Sequence, residues 1–175
     1  MNNIMLDLET MGTGYNSAII AIGAVKFDIN NGITDKFYKV VDLNSCIKKG
    51  FDIDADNVYW WLRQSDQAKG ELSKNLIHIK DALIQFKGWI GKGNLQIWGN
   101  GSDFDNVILT NAFRKYGVTS PWPHYSNRCY RTIRYSYPSL EIPNVGISHK
   151  AIDDAEYQAN YLIILVKKYK LTNIL

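Results

Sequence analysis

Three acidic segments far apart in the chain carry spacings suited to one metal site. Ile4-Met5-Leu6-Asp7-Leu8-Glu9-Thr10 stands near the start and His149-Lys150-Ala151-Ile152-Asp153-Asp154-Ala155 near the end. Between them, Phe104-Asp105 follows Trp98-Gly99-Asn100-Gly101. On a strand, residues i and i+2 point to the same face, so Asp7 and Glu9 would stand side by side. In so apolar a strand their repulsion is costly unless cations neutralise it. Hard oxygen ligands of this kind suit Mg²⁺ or Mn²⁺. An edge strand with solvated acids is the plainer alternative, and the flanking Ile4, Leu6 and Leu8 argue against it. Two acids on a strand, a third at a helix start and a late His/Asp pair suggest two-metal phosphodiester chemistry.

Each remaining residue has an ordinary reading beside the chemical one. Asp105 follows a strand and a glycine turn, at the sheet edge where α/β sites usually form. Taken by itself, an acid favoured by the positive end of a helix is the better reading of it. Asp103 competes for the same role, and local sequence does not separate the two. His149 and Asp154 stand five residues apart across a loop-to-helix boundary. Asp154 shares a helix side with the small Ala151 and Ala155, which would let the helix approach a sheet closely. A histidine there can take a proton from water near neutral pH; a capping or surface histidine is the alternative. Asp153 points elsewhere on the helix.

These side chains need strands and helices to bring them together. Ile4 to Leu8 and Ala18 to Phe27 read as strands, with Phe37 to Val41 a third across the Asn30-Asn31-Gly32 turn, an antiparallel meander. Asp54 or Asp56 caps a helix through Trp60-Trp61-Leu62. Leu76, Ile79, Leu83, Phe86 and Ile90 recur at helical spacing, which predicts a helix over 75–90. Leu95 to Trp98 is a short strand. Helices follow over about 104–116, over 128–135 and over Ala151 to Tyr169. The order predicts one α/β domain over 1–175, a mixed sheet with helices packed on it.

Composition bounds the rest. The 175 residues are 46% hydrophobic and 21% charged, ordinary for a globular domain. No apolar run is long enough to span a bilayer, and Asp7 and Glu9 sit where a signal peptide would be uncharged. The expectation is a cytoplasmic protein with no membrane partner. Cys46 and Cys129 fit no metal spacing, and a disulfide would be unusual in a reducing cytosol. The formal charge is only +3. Two divalent cations would nevertheless make the site attractive to a phosphate backbone.

The three segments, in this order, resemble the DEDDh group of the DnaQ-like, ribonuclease H-like 3′-5′ exonucleases. The matching pieces are Leu6-Asp7-Leu8-Glu9-Thr10, Asn100-Gly101-Ser102-Asp103-Phe104-Asp105 and His149 through Ala155, and the resemblance covers nearly the whole chain. It selects Asp105 over Asp103, because the acid follows the Phe, and Asp154 over Asp153, because it lies five after the His. Ala21-Ile22-Gly23-Ala24-Val25 is also typical of the group's second strand. Trp60-Trp61-Leu62-Arg63-Gln64-Ser65 and Tyr130-Arg131-Thr132 resemble a phage and bacterial subgroup, near exonuclease VIII-like and small exoribonuclease proteins. Gly99-Asn100 departs from the His-Asn of many relatives.

The resemblance implies that Asp7, Glu9, Asp105 and Asp154 hold two Mg²⁺ or Mn²⁺ ions, about 3.5–4 Å apart. His149 would be the base that deprotonates the attacking water, and the product a nucleoside 5′-monophosphate from a 3′ end. Thr10, Met11, Asn100 and Arg131 are candidate substrate contacts. Arg128, Arg131 and Arg134 recur every three residues, which predicts a basic helix face that contacts phosphates or simply meets solvent. Trp60 and Trp61 cannot both be buried on one helical stripe, so one would face substrate or a partner subunit. Single-stranded DNA is slightly favoured over short RNA as substrate. A possible homodimer would use the aromatic helix around Trp60, and a phage-encoded protein would work in the host cytoplasm. A non-catalytic nucleic-acid-binding module with the same fold is a rival. A haloacid-dehalogenase-type phosphatase is another, but its Asp-x-Asp-x-Thr spacing is not met.

Overall fold

The computed structural model describes residues 2–143 and 146–171. Its frame is a five-stranded mixed sheet with helices on both faces. Strands β1 (Asn2–Thr10), β2 (Ile19–Asp28) and β3 (Gly32–Val40) form the antiparallel meander. Helices α1 (Leu43–Lys48), α2 (Ala55–Leu62), α3 (Asp66–Glu71) and α4 (Ile79–Ile90) follow. Strand β4 (Leu95–Gly99) runs parallel to β1, then come α5 (Asp105–Lys115), β5 (Asn127–Cys129), α6 (Tyr130–Tyr135) and α7 (Ala151–Tyr169). The strand order is β3-β2-β1-β4-β5.

The period of two in β1 divides the core. Ile4, Leu6 and Leu8 face α4 and α5, joined by Leu83, Phe86, Leu109 and Phe113. Met5 faces the other way and packs with Val25, Trp98 and the α7 residues Ala155, Ala159 and Leu162. Asp7 and Glu9 continue the Met5 side towards the end of the strand. The α7 side that carries Ala151, Ala155, Gln158, Ala159, Leu162, Ile163 and Val166 is buried. Asp54 caps α2 by accepting from the Asp56 N–H. Cys46 and Cys129 are free thiols.

Two expectations are corrected. Helix α4 begins at Ile79, four residues later than the apolar spacing predicts. Ile77 instead forms a parallel bridge with Val41, donating to the Val40 carbonyl and accepting from Asp42 N–H. Leu76 is left exposed, and His78 caps the helix through Lys80 N–H. Pairing with the end of β3 thus overrides local periodicity. The helix predicted over 128–135 is shorter, because residues 127–129 add a fifth strand to the open edge of β4. Helices α1 and α3, of six residues each, show no apolar repeat long enough to read. Among the described residues, no helix is long and apolar enough to cross a membrane.

Candidate active site

The acids meet where the strands end. Asp7 is paired with Gly23 on β2. A Cβ on Gly23 would lie within 2.4 Å of the Ala151 and Ile152 backbone. Only glycine allows the first turn of α7 to lie against β2, and that approach brings Asp154 beside the β1 acids. Asp7, Glu9 and Asp154 each present an oxygen, all within 4.8 Å of one another.

Asp105 approaches the cluster from the opposite face of the sheet, but its oxygens are not among those that meet within 4.8 Å. The β1–β4 ladder stops at Met5 and Trp98, and the strands part beyond it. The splay leaves the Leu8 and Asn100 N–H groups without ladder partners. Asp105 accepts both, at 3.0 Å from Leu8 N and 2.8 Å from Asn100 N. Gly99 makes room, since a Cβ there would sit 2.5 Å from the Asn106 amide oxygen and 3.2 Å from Asp105 Cβ. The competing Asp103 is exposed. Asp153 turns away, accepting from Ile147 N–H at 2.9 Å and pairing with Lys150.

The electrostatics follow from burying four carboxylates together. Burial, then the charges of Asp105, Glu9 and Asp154, push Asp7 well above the usual carboxylate range. Glu9 is pushed up to about 8, by burial first and then by Asp154 and Asp105. Burial raises Asp105 too, to about 6, less far than Glu9 because backbone N–H bonds, chiefly from Asn100 and Leu8, and the Arg131 charge offset it. Burial also raises Asp154, against the His149 N–H that it accepts at 2.9 Å. One Glu9 oxygen, Oε1, is buried without a hydrogen-bond partner. A crowded, protonation-prone set of hard oxygens with an unsatisfied acceptor is what a divalent cation relieves. The residues fit such an ion.

A cavity of about 820 Å³ opens over these acids. His149 lines it, in a left-handed backbone conformation (φ 64°). That geometry costs a non-glycine residue about 1–3 kcal/mol and persists only where neighbours enforce it. Here the neighbours are Asp154, through the His149 N–H, and Trp60, whose ring lies edge-on at 4.8 Å from the imidazole. Trp60 therefore faces the cavity, while Trp61 is buried and donates its indole N–H to the Thr10 carbonyl. Thr10, Asn100 and Arg131 line the cavity. Met11 does not; it packs on the core, and its backbone groups are bonded to Ala18 and Asp54. Arg131 and Arg134 share the α6 wall. Arg128 lies in β5 instead, donating to Gln96, Tyr125 and Asn127, so the predicted three-arginine face is reduced to two.

Gln158 is a site residue that the motifs did not single out. Its amide donates to Asp7 Oδ1 at 2.8 Å. Its place four residues after Asp154, on the same helix face, is the signal that could have found it.

The family model for the 3′-5′ exoribonuclease Rv2179c-like domain matches residues 2–166. The chain belongs to this family. It is thus a domain of the DnaQ-like 3′-5′ exonucleases, as the three motifs imply. An exodeoxyribonuclease of Enterobacteria phage T4 is 28% identical over 130 residues, covering 65% of this chain and 56% of that protein. The chain thus matches little more than half the length of that relative. E. coli exonuclease I, solved with a dA16 oligonucleotide, superposes with a TM-score of 0.66 at 17% identity, covering 95% of this chain and 41% of that one. S. pombe Pop2p, solved with Mg²⁺ and Mn²⁺, gives 0.68 at 14% identity over 95% and 83%. At such identities these two structures speak for the fold.

Proposed function

We propose that this protein is a metal-dependent 3′-5′ exonuclease that shortens single-stranded nucleic acid to nucleoside 5′-monophosphates. The observation that carries the reading is the convergence of Asp7, Glu9 and Asp154 within 4.8 Å, beneath His149. Asp7, Glu9 and Asp154, with Asp105 behind them, would hold two Mg²⁺ or Mn²⁺ ions. Bound there, such cations make water more acidic and offset charge on the phosphate and leaving oxygen. Asp105 keeps β1 and β4 apart at the width the site needs and adds its charge to the set. Gln158 orients Asp7. His149, braced by Trp60, is the base that accepts the proton of the attacking water. Thr10, Asn100 and Arg131 contact the terminal nucleotide, Arg131 with its charge towards phosphate.

Single-stranded DNA is the favoured substrate and short RNA the second. The matching phage relative is named an exodeoxyribonuclease and a structural neighbour holds dA16, while the family's description names an exoribonuclease. The test uses 5′-labelled DNA and RNA strands of one sequence, with Mg²⁺, Mn²⁺ or EDTA, beside an Asp7→Ala protein. A metal-dependent ladder shortening from the 3′ end, lost in Asp7→Ala, is expected, and the two ladders rank the sugars. No cleavage by protein that binds Mn²⁺ would leave the non-catalytic binding module as the reading.

A further inference from the structure

A strand whose 3′ end sits over the acids must leave the catalytic cavity along some surface, and two smaller cavities flank it. One, of about 400 Å³, shares Thr13 and Asp54 with the catalytic cavity and is walled by Asp52 and Asp54. The α2 wall adds Asp56. Phosphates are repelled on that side.

The other cavity, about 290 Å³, lies along the outer side of α5. The two linings share no residue, but Tyr15 comes two residues after Thr13 and Val107 three after Phe104 of the catalytic cavity. The cavity along α5 ends at Arg114 and His124, and no acid lines it. Helix α5 carries this surface from Asp105 to Arg114, roughly 14 Å at 1.5 Å per residue. Arg114 is exposed and makes no ion pair among the described residues, so its charge is available to a phosphate. Tyr15 is 66% exposed, an uncovered ring at the cavity mouth. The Asn111 amide donates to Asn16 at 3.2 Å, which ties the Tyr15 loop to the helix. The floor includes the buried Trp122. An exposed ring and an unpaired cation along one cavity are the chemistry that holds single strands, by stacking on bases and attraction to the backbone.

Building on the exonuclease reading, we propose that this cavity is an upstream subsite for single-stranded nucleic acid. Tyr15 stacks on a base two or more nucleotides 5′ to the terminal one, out of reach of a dinucleotide, and Arg114 holds a phosphate beyond it. The subsite makes the enzyme prefer strands several nucleotides long over the shortest ones.

The test compares KM and kcat on a dinucleotide and a dodecamer of one sequence, with Mn²⁺, for wild type, Tyr15→Ala, Arg114→Ala and the double variant. The dinucleotide is too short to reach Arg114 and serves as the internal reference. The double variant is expected to raise KM for the dodecamer by about tenfold or more while the dinucleotide is turned over as before. Arg114→Ala alone should lower the salt slope of dodecamer binding by about 0.7, one phosphate contact. An unchanged dodecamer KM, or an equal loss on both substrates, would overturn the subsite and leave the exonuclease standing. A wild type that cleaves neither substrate would sink the exonuclease reading itself.

Discussion

Glu9 and Asp105 are both buried carboxylates of one cluster, yet their surroundings differ in kind. Asp105 lies in the fork between β1 and β4, with a backbone N–H on each oxygen. Glu9 stands on the open side of β1, with Oε1 unpartnered and two acids beside it. The fold satisfies the first without help. The second is left in a state that a protonation or a cation must relieve. One half of the site is thus built into the sheet, and the other is kept in reserve for what binds there.

The most severe break is on the open side. Asp7→Ala removes a carboxylate proposed to hold metal at the centre of the cluster, and exonuclease activity is expected to fall below detection in a labelled-strand assay. His149→Ala leaves the carboxylates intact. It should slow single-turnover cleavage by about 10²- to 10⁴-fold while Mn²⁺ still binds by calorimetry. Retention of near-normal rates would remove the histidine from the role of base. Gln158→Leu deletes only the donor to Asp7, and a loss of about 10- to 100-fold in Mn²⁺ affinity is expected.

The contrast itself is sharpened by two conservative changes measured without metal. Asp105→Asn replaces an acceptor oxygen by an NH₂ group and orphans one backbone N–H. It should cost about 1–3 kcal/mol in denaturant unfolding. Glu9→Gln should do the reverse and stabilise the protein above pH 8. Equal signs for the two would erase the distinction. The smallest effect is the pH trend of the metal-free wild type. Glu9 stays protonated in the fold up to about 8 but ionises in the unfolded chain near its ordinary value of 4.5. The native state therefore binds more protons between those values, and stability falls as pH rises through them. Melting temperature should decline across this window, with Mg²⁺ or Mn²⁺ flattening the decline.

Much of this was legible in the chain. The i, i+2 spacing placed Asp7 and Glu9 on one face whatever else the protein did. The small-residue side of α7 already showed how that helix would lie against the sheet. Other parts were not legible, because they depend on partners distant in sequence. The start of α4 was decided by Val41, which captured Ile77. Residues 127–129 became a strand because β4 offered an open edge, and Arg128 was lost from the basic face with them. Met11 turned inward, since the loop that carries it is stitched to Ala18 and Asp54.

By itself, then, the sequence determined which residue types could bind a hard cation and which elements carry them, because both are matters of local spacing. Only the tertiary structure decided that Asp105 is satisfied while Glu9 is not, and that Trp60 rests on His149. It also decided that the acid-free cavity runs along α5. Each of these depends on how strands part and helices approach, and those distances are set by packing across the whole core.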